Sequence, residues 1–488
     1  MSDAIRFLLG ANERVVRDAD PNTTVLQWLR TMAGQPGTKE GCAEGDCGAC
    51  TVVVVEPDAD GCLRYRAVNG CILFLPTLHG KQLITVEHLR GADGGLHPAQ
   101  QAMVECHGSQ CGFCTPGFVM SLFALYHNED RPGRRRIQDV LAGNLCRCTG
   151  YRPIIDAAER MYELGEHDPF TEREPETARH LQALRGDDTL RVSGAGRHYY
   201  APRSVDALAE VLAELPDATV LAGGTDVGLW VTKQHAKLET IVYTGDVRSM
   251  ETVVEDDTTI DIGGAASHSD AMAVLGAHYP DFGELLRRFA SVQIRNSGTL
   301  GGNIANASPI GDSMPVLMAL DAALVLRCGQ QRRTLPLDQF YLGYRRTALQ
   351  PGEFIERIRV PRPSQGWQLH CYKLSKRFDQ DISAVCAAFN VHLEHGMVRD
   401  IRIGFGGMAA VPVRAPHTEE ALRGRPWDGV SVEAAGRVLD EELTPLSDMR
   451  ASAEYRALAA RNLLRKAVLE TEQSAGATRV LEHEEDRA

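Results

Sequence analysis

The sequence predicts a multidomain α+β protein, and three observations support this prediction. The chain has 488 residues, which at about 150 residues per domain suggests about three domains. Its composition is 43% hydrophobic and 24% charged, as in globular proteins. Strand-like and helix-like patterns then alternate in blocks along the chain. These blocks place the predicted boundaries at 1–90, 91–165, 166–190, 191–365, 366–478 and 479–488.

The first two blocks differ in their apolar spacing. In residues 1–90, "AIRFLLG" and "ERVVRDA" flank a turn, "TTVLQWLRTMA" is typical of a helix behind a threonine cap, and "CTVVVVE" is β-branched. These features predict a small α+β sheet domain. From "HPAQQAMVECHG" to "RPIIDAAERMYELG" the spacing becomes helical, so residues 91–165 are predicted to form a small helical domain.

The remaining blocks predict a linker, two larger units and a tail. Residues 166–190 begin with acids, two prolines and no apolar period, which is typical of a linker. Helices and strands alternate in 191–365, and 366–478 is strand-rich before it finishes in helices. The acidic end, 479–488, is expected to fray.

Charge and hydropathy exclude several classes of protein. A net charge of −13 argues against nucleic acid as the main partner. No apolar run reaches the roughly 18 residues of a membrane helix, and the N-terminus lacks the apolar core of a secretory signal. We therefore expect a cytoplasmic protein without a membrane span. Cytoplasmic thiols stay reduced, so the thirteen cysteines are expected to be metal ligands or buried side chains.

The first group of cysteines lies in "GCAEGDCGAC". Cys42, Cys47 and Cys50 have the spacing C(x4)C(x2)C of plant-type ferredoxins, with glycines between them. Glycines allow one loop to wrap a 2Fe-2S cluster with its N–H groups towards sulfur. Cys71 is favoured as the fourth ligand over Cys62, because Cys71 starts an apolar segment and Cys62 lies in a turn-like stretch. Structural zinc is the alternative.

The second group pairs "QCGFCTPG" with "LCRCTG". Cys111 and Cys114 are separated by 31 residues from Cys146 and Cys148. A four-cysteine zinc site is one interpretation. However, each pair precedes a predicted helix start, where the backbone stabilises a negatively charged cluster.

Together these motifs resemble the iron–sulfur portion of the xanthine dehydrogenase and aldehyde oxidase family of molybdenum hydroxylases, over about the first 165 residues. The resemblance implies a β-grasp ferredoxin-like domain, then a four-helix domain, each holding one 2Fe-2S cluster. The cluster of the helical domain would lie nearer the molybdenum centre. Gln110 matches the residue that approaches the pterin of the molybdenum cofactor in the family.

Two glycine-rich loops follow, "VLAGGTDVG" and "SGTLGGNIANASPIGD". Neither is a GxGxxG fingerprint, but both offer N–H groups that a pyrophosphate could use, and a plain turn is the alternative. The loops resemble the FAD-binding stretches of the same family, which implies a vanillyl-alcohol-oxidase-like FAD domain with a C-terminal α/β subdomain. Carried over by position, the expected FAD contacts are Thr219, Val220, Leu221, Ala222, Gly223, Gly224, Thr225, Asp226, Phe289, Thr299, Gly301, Gly302, Asn303, Asp312, Ile355 and Lys373.

Some positions depart from the animal members of the family. Thr219 replaces a lysine, Gly224 an asparagine and Asn306 a threonine. The segment "YKLSKRFDQDIS" resembles the stretch near the flavin and the NAD site, although residues 379–381 are less acidic than in animal enzymes. The resemblance of this segment makes NAD the expected electron acceptor.

The family's molybdenum domain is not expected in this chain, so no catalytic residue for substrate hydroxylation is assigned. The resemblance implies a large molybdopterin-binding partner subunit and an (αβ)2 heterotetramer. Both cluster domains fused to the flavin domain are similar to small subunits of bacterial xanthine dehydrogenases. We expect electrons from hypoxanthine or xanthine to pass through both clusters and FAD to NAD. The alternatives are an aldehyde or N-heterocycle hydroxylase with a non-NAD acceptor, and a zinc-stabilised binding module.

Overall fold

The computed structural model describes residues 3–58, 60–91, 94–165, 168–471 and 479. The first unit is a five-stranded mixed sheet that packs on one helix, Val25–Thr31. Thr24 caps this helix through a hydrogen bond from the N–H of Gln27. In spatial order the strands are Asn12–Val16, Ile5–Leu9, Gln82–Ile84, Thr51–Pro57 and Leu63–Asn69, and the second and third are parallel. This is the expected β-grasp arrangement.

The second unit consists of four α-helices around one apolar core. The helices are Pro98–Glu105, Thr115–Asn128, Arg134–Leu141 and Arg152–Arg160. The second of them is buried along most of its length, because both its neighbours and the sheet of the first unit pack against it. The two units therefore form one continuous body.

The predicted linker holds a helix, Pro169–Arg185, instead of irregular chain. Only Leu181 of this helix is buried, which agrees with the lack of an apolar period in its sequence. The helix lies across the first unit, and Asp168 fixes its start by accepting hydrogen bonds from the N–H groups of Phe170 and Thr171. We name this element the connecting helix.

The third unit combines two sheets and a set of short helices. One sheet has the order Leu190–Gly194, Arg197–Ala201, Thr240–Tyr243 and Thr219–Leu221; the other has Val253–Glu255, Thr259–Gly263, Phe354–Pro361, Ala323–Cys328 and Gln331–Pro336. A two-stranded ribbon joins Tyr341–Gly343 to Arg346–Thr347. The helices are Val205–Glu214, Val227–Thr232, His268–His278, Pro280–Arg287, Val292–Ser297, Leu300–Ala305 and Ser313–Ala319.

The fourth unit is an antiparallel meander covered by helices. Its strands are Trp367–Leu374, Val385–Glu394, Met397–Gly406 and Val413–Arg414, and its helices are Pro416–Leu422, Gly429–Glu442 and Ala453–Thr471. The multidomain α+β prediction is confirmed. Apart from Arg479, the predicted acidic tail lies outside the described residues. Within the described residues, every helix is too short or too polar to cross a membrane.

Candidate electron-transfer site

The first cysteine loop is shaped by glycine and by hydrogen bonds to sulfur. Gly45 and Gly48 adopt left-handed backbone conformations, with φ of 79° and 69°. The sulfur of Cys42 accepts hydrogen bonds from the N–H groups of Glu44, Asp46 and Cys47 at 3.4, 3.3 and 3.3 Å. The sulfur of Cys47 accepts one from the N–H of Cys42 at 3.3 Å. Several backbone donors therefore converge on sulfur, as a negatively charged cluster requires.

Four thiols meet at this loop. Cys42 contacts Cys47 and Cys71, and Cys71 in turn contacts Cys50. Hydrogen bonds from Cys47 and Cys71 lower the pKa of Cys42, whereas bonding to Cys42 raises the pKa of Cys47 and of Cys71. Ionisation of one thiol disfavours ionisation of its neighbours, so four thiolates need a cation between them. A cationic iron centre fits this need. Cys62 is exposed and lies in the turn between two strands, away from this group.

The second cysteine group lies at two helix starts. Cys114 is the N-cap residue of Thr115–Asn128, and Cys146 and Cys148 precede Arg152–Arg160. The thiols touch across the two motifs, Cys114 with Cys146 and Cys111 with Cys148. The N–H of Thr149 also donates to the sulfur of Cys146 at 3.5 Å. This donor set fits a second cluster.

The two cysteine groups are directly connected. The N–H of Leu145, next to Cys146, donates to the carbonyl oxygen of Cys47 at 2.9 Å. Gly48 lies between Gly143 and Gly117, and a β-carbon at any of the three would clash with backbone or side chain of its neighbours. The glycines therefore permit the close approach of the two ligand loops.

A cavity of about 500 Å³ lies in the third unit. Twelve of the sixteen expected FAD contacts line it: Val220, Ala222, Gly223, Gly224, Thr225, Asp226, Phe289, Thr299, Gly301, Gly302, Asn303 and Ile355. The strand Thr219–Leu221 delivers the first loop to the cavity, and Thr299 caps the helix Leu300–Ala305 in the second.

The shape of this cavity suits a dinucleotide with a flat ring. A β-carbon at Gly223 would collide with the carbonyl of Ser297, so the first loop packs against the second backbone to backbone. Phe289 and His268 form an aromatic wall with ring centroids 4.7 Å apart. Burial lowers the pKa of His268 to about 3, so this wall is neutral. Glycine-rich backbone and a neutral aromatic wall fit the phosphates and the ring system of FAD.

Four expected FAD contacts do not line the cavity. Thr219 lies in the strand that leads to it, and Leu221 is buried in the apolar core. The amine of Lys373 instead donates to Asp312 at 2.6 Å and to Ser383 at 2.8 Å, within a buried ion pair. Lys373 and Asp312 support the cavity indirectly. Ser313 is adjacent to Asp312 and donates to the side-chain oxygen of Asn303, which lines the cavity.

Several cavity residues were missed by sequence reasoning. Trp230 lies one helical turn after Asp226 and donates to its carboxylate at 3.0 Å, a spacing that could have indicated it. His268 is separated from both glycine loops in sequence, so no local signal marks it, whereas Ile294 lies three residues before the second loop. Arg345 lies in the turn of the two-stranded ribbon and Glu353 directly precedes the strand Phe354–Pro361, so both are distant in sequence from the glycine loops.

One further cluster, His97, His127 and Asp168, has the composition of a metal site. Both histidines donate from Nε2 to one carboxylate oxygen of Asp168, at 2.6 and 2.9 Å. Nδ1 of His97 accepts from the N–H of Ala99, so its Nε2 must carry the proton. The ligand atoms are thus engaged with one another. We interpret this cluster as a clamp that holds the start of the connecting helix.

Family models match all four units. "2Fe-2S iron-sulfur cluster binding domain" matches residues 10–71 and "[2Fe-2S] binding domain" matches 85–159. "FAD binding domain in molybdopterin dehydrogenase" matches 191–363, and "CO dehydrogenase flavoprotein C-terminal domain" matches 370–471.

Individual relatives agree with these models. Xanthine dehydrogenase of Emericella nidulans is 35% identical over 90% of this chain and 36% of its own length, and xanthine dehydrogenase/oxidase of Gallus gallus is 31% identical over 90% and 38%. This chain thus spans little more than a third of these relatives. A solved carbon monoxide dehydrogenase from Hydrogenophaga pseudoflava is 30% identical, with a TM-score of 0.53, over 55% of this chain and 94% of that one.

Proposed function

Because this chain belongs to the molybdenum hydroxylase family and serves electron transfer through 2Fe-2S clusters and FAD, we propose that it is the electron-transfer subunit of a xanthine dehydrogenase. It would receive electrons from a molybdopterin-binding partner that oxidises hypoxanthine and xanthine to urate. NAD would be the final acceptor.

The domain order is the observation that carries the choice of substrate. The xanthine dehydrogenase relatives align with 90% of this chain, through cluster units and flavin units alike. The similar carbon monoxide dehydrogenase chains align with only 55–58% of it. A single chain with all four units therefore supports a xanthine dehydrogenase over a carbon monoxide dehydrogenase.

The burial of the cysteines supports an order of electron flow. Cys111 and Cys148 are exposed, whereas Cys50 and Cys71 are buried. Ile294 packs against the group that contains Cys71 and also lines the flavin cavity. When bound, the clusters carry single electrons and FAD collects two of them for a hydride transfer to NAD. Electrons would thus enter at the exposed second cysteine group, pass to the buried first group and then reach the flavin cavity.

The entrance also provides a face for the partner subunit. Phe113, Leu145 and Tyr151 are 49%, 41% and 38% exposed around the second cysteine group, and Gln110 is exposed beside Cys111. Large exposed apolar side chains that cluster in this way are typical of protein interfaces. We propose that the molybdopterin-binding subunit docks on this face, within an (αβ)2 heterotetramer.

The test is a steady-state assay of the complex co-purified with its molybdenum-containing partner. With xanthine and NAD, we expect urate and NADH to form in equal amounts. An aldehyde, an N-heterocycle, oxygen and a quinone serve as the comparison substrates and acceptors. Faster turnover of an aldehyde or N-heterocycle, with no NADH from xanthine, would refute the purine assignment and favour the alternative hydroxylase.

A further inference from the structure

The helix Val292–Ser297, which we name the bridging helix, belongs to the flavin unit but reaches into the junction of the two cluster units. Its consecutive residues Gln293 and Ile294 face two different surroundings. Gln293 contacts polar side chains between the two cysteine loops, and Ile294 contacts the first cysteine group and the flavin cavity. One short element thus contacts the first cysteine group, the flavin cavity and the junction of the two cysteine loops.

Gln293 is 1% exposed and holds residues of both cluster units. Its side-chain amide donates to Asn144 at 3.0 Å and to Ser121 at 3.2 Å, both in the helical unit. It also approaches the hydroxyl of Thr51 at 3.4 Å, in the first unit. Its oxygen lies against Gly143, where a β-carbon would clash with it. The side chain is therefore confined on both faces.

The direction of these hydrogen bonds is determined by Asn144. The amide of Asn144 donates to the carbonyl oxygen of Gly48 at 3.1 Å, and a carbonyl can only accept. The oxygen of Asn144 must then receive donors, which Ser121 provides at 2.7 Å and Gln293 at 3.0 Å. Asn144, together with the backbone hydrogen bond from Leu145 to Cys47, ties the two cysteine loops together. Gln293 adds the flavin unit to a junction that already exists.

Ile294 lies between the first cysteine group and the flavin cavity. It packs on the apolar cluster of Leu26, Cys50, Cys71 and Ile72. On its other side it forms part of the cavity wall. A β-carbon at Gly45 would lie 3.1 Å from its terminal carbon, so the first cysteine loop closes around it.

We propose that Gln293 is a positioning residue that sets the register of the flavin unit against the two cysteine loops, so that Ile294 closes the gap between Cys71 and the flavin. The inference rests on the electron-transfer role and does not depend on the substrate of the partner subunit. Loss of the Gln293 bonds should widen this gap and leave the junction of the two cysteine loops intact.

Four variants separate these effects in the loaded protein. Q293L removes the amide at similar volume, and Q293N keeps an amide with a shorter reach if the leucine variant folds poorly. Asn144→Ala removes the side-chain hydrogen bonds between the cysteine loops. Asn296→Leu is the matched control, because Asn296 lies on the same helix and donates to the carbonyl of Ala67 at 3.0 Å, away from both cysteine groups.

Two measurements test the role of Gln293 and need no substrate of the partner subunit. The magnetic coupling between the reduced clusters, measured by electron paramagnetic resonance, reports their relative placement. The rate of flavin reduction is measured after rapid mixing with reduced methyl viologen, two molecules of which each lose one electron for every flavin reduced. For Q293L or Q293N we expect unchanged coupling and flavin reduction slower by several-fold, because the gap between Cys71 and the flavin widens.

The other variants should differ in defined ways. Asn144→Ala should alter both the coupling and the rate, and Asn296→Leu neither. A purely structural role for Gln293 would lower the melting temperature of Q293L and leave its flavin reduction as fast as in Asn296→Leu, and that result would overturn the proposal. Failure to oxidise xanthine would refute the proposed substrate alone, since both measurements bypass the molybdenum site.

Discussion

At the scale of single residues, sulfur position separates ligands from ordinary cysteines. Cys71 and Cys62 are nine residues apart in the chain and both follow a glycine. Cys71 is 2% exposed and contacts two other thiols, whereas Cys62 is exposed on a hairpin turn. The Cys71 thiol is thus positioned to bind iron, whereas the Cys62 thiol faces solvent.

Substitution of these two cysteines should have opposite outcomes. C71S removes one of four thiolates from the first group, so we expect iron and acid-labile sulfide to fall to about half of the wild-type content, with the second cluster retained. C62S should keep the full content. Metal analysis and visible absorption of both purified variants check this. Iron loss in C62S with wild-type content in C71S would reverse the ligand assignment.

At the scale of elements, the connecting helix shows how an apparently irregular segment becomes ordered. Its first residue is held by Asp168, one oxygen of which caps the helix while the other accepts from His97 and His127. Farther along, the hydroxyl of Tyr65 donates to Glu174 at 3.0 Å. Polar contacts to other elements, rather than an apolar stripe, hold this helix in place.

Asp168→Asn should loosen the start of the connecting helix. The substitution turns one carboxylate oxygen into an NH2 group, which cannot accept the two hydrogen bonds that this oxygen receives. We expect a loss of about 2–3 kcal/mol in local stability, because buried donors are left without an acceptor. Hydrogen exchange of the amides in residues 169–185 should then be faster. Glu174→Gln on the same helix retains an acceptor for Tyr65 and should leave exchange almost unchanged. Equal exchange in the two variants would contradict the clamp.

At the scale of the whole molecule, the units are joined through buried charged and polar groups. Burial lowers the pKa of His79 to about 4 and that of His268 to about 3, because both are enclosed by neighbouring elements. Burial also raises the pKa of Glu251 to about 7, with the charge of Glu56 as a further cause. These shifts oppose one another in their effect on stability.

The net result is a prediction for the pH dependence of unfolding. Each histidine binds its proton near pH 6.5 when unfolded and only near pH 3–4 when folded, so its contribution is lost as the pH falls below about 6.5. Glu251 acts in the opposite sense between about pH 4.5 and 7. The lowered pKa values of His88 and His97 act in the same sense as those of His79 and His268, so we expect the free energy of unfolding to fall along a slope from pH 6.5 to 4.5.

Thermal unfolding between pH 4.5 and 8 measures this slope. H79Q should reduce the loss of stability below pH 6.5, because glutamine cannot take up the proton. E251Q should steepen it by removing the opposing group. A melting temperature that stays constant from pH 6.5 to 4.5 would contradict the assignment of buried neutral histidines.

The local sequence determined the class of the fold and the chemistry of the ligands. Cys42, Cys47 and Cys50 are recognisable because one loop wraps the cluster, and the glycine loops of the flavin cavity are equally local. Their spacing reflects short-range geometry, which is written in consecutive residues. The connecting helix escaped prediction because its contacts come from distant elements.

Only the tertiary structure decided which distant residues meet. It placed Ile294 beside both Cys71 and the flavin cavity, and it paired Lys373 with Asp312 rather than with the cavity. It also brought Thr51, Asn144 and Gln293 together from three units. Such junctions depend on packing between separately folded units, and the pattern of neighbouring residues carries no record of that packing.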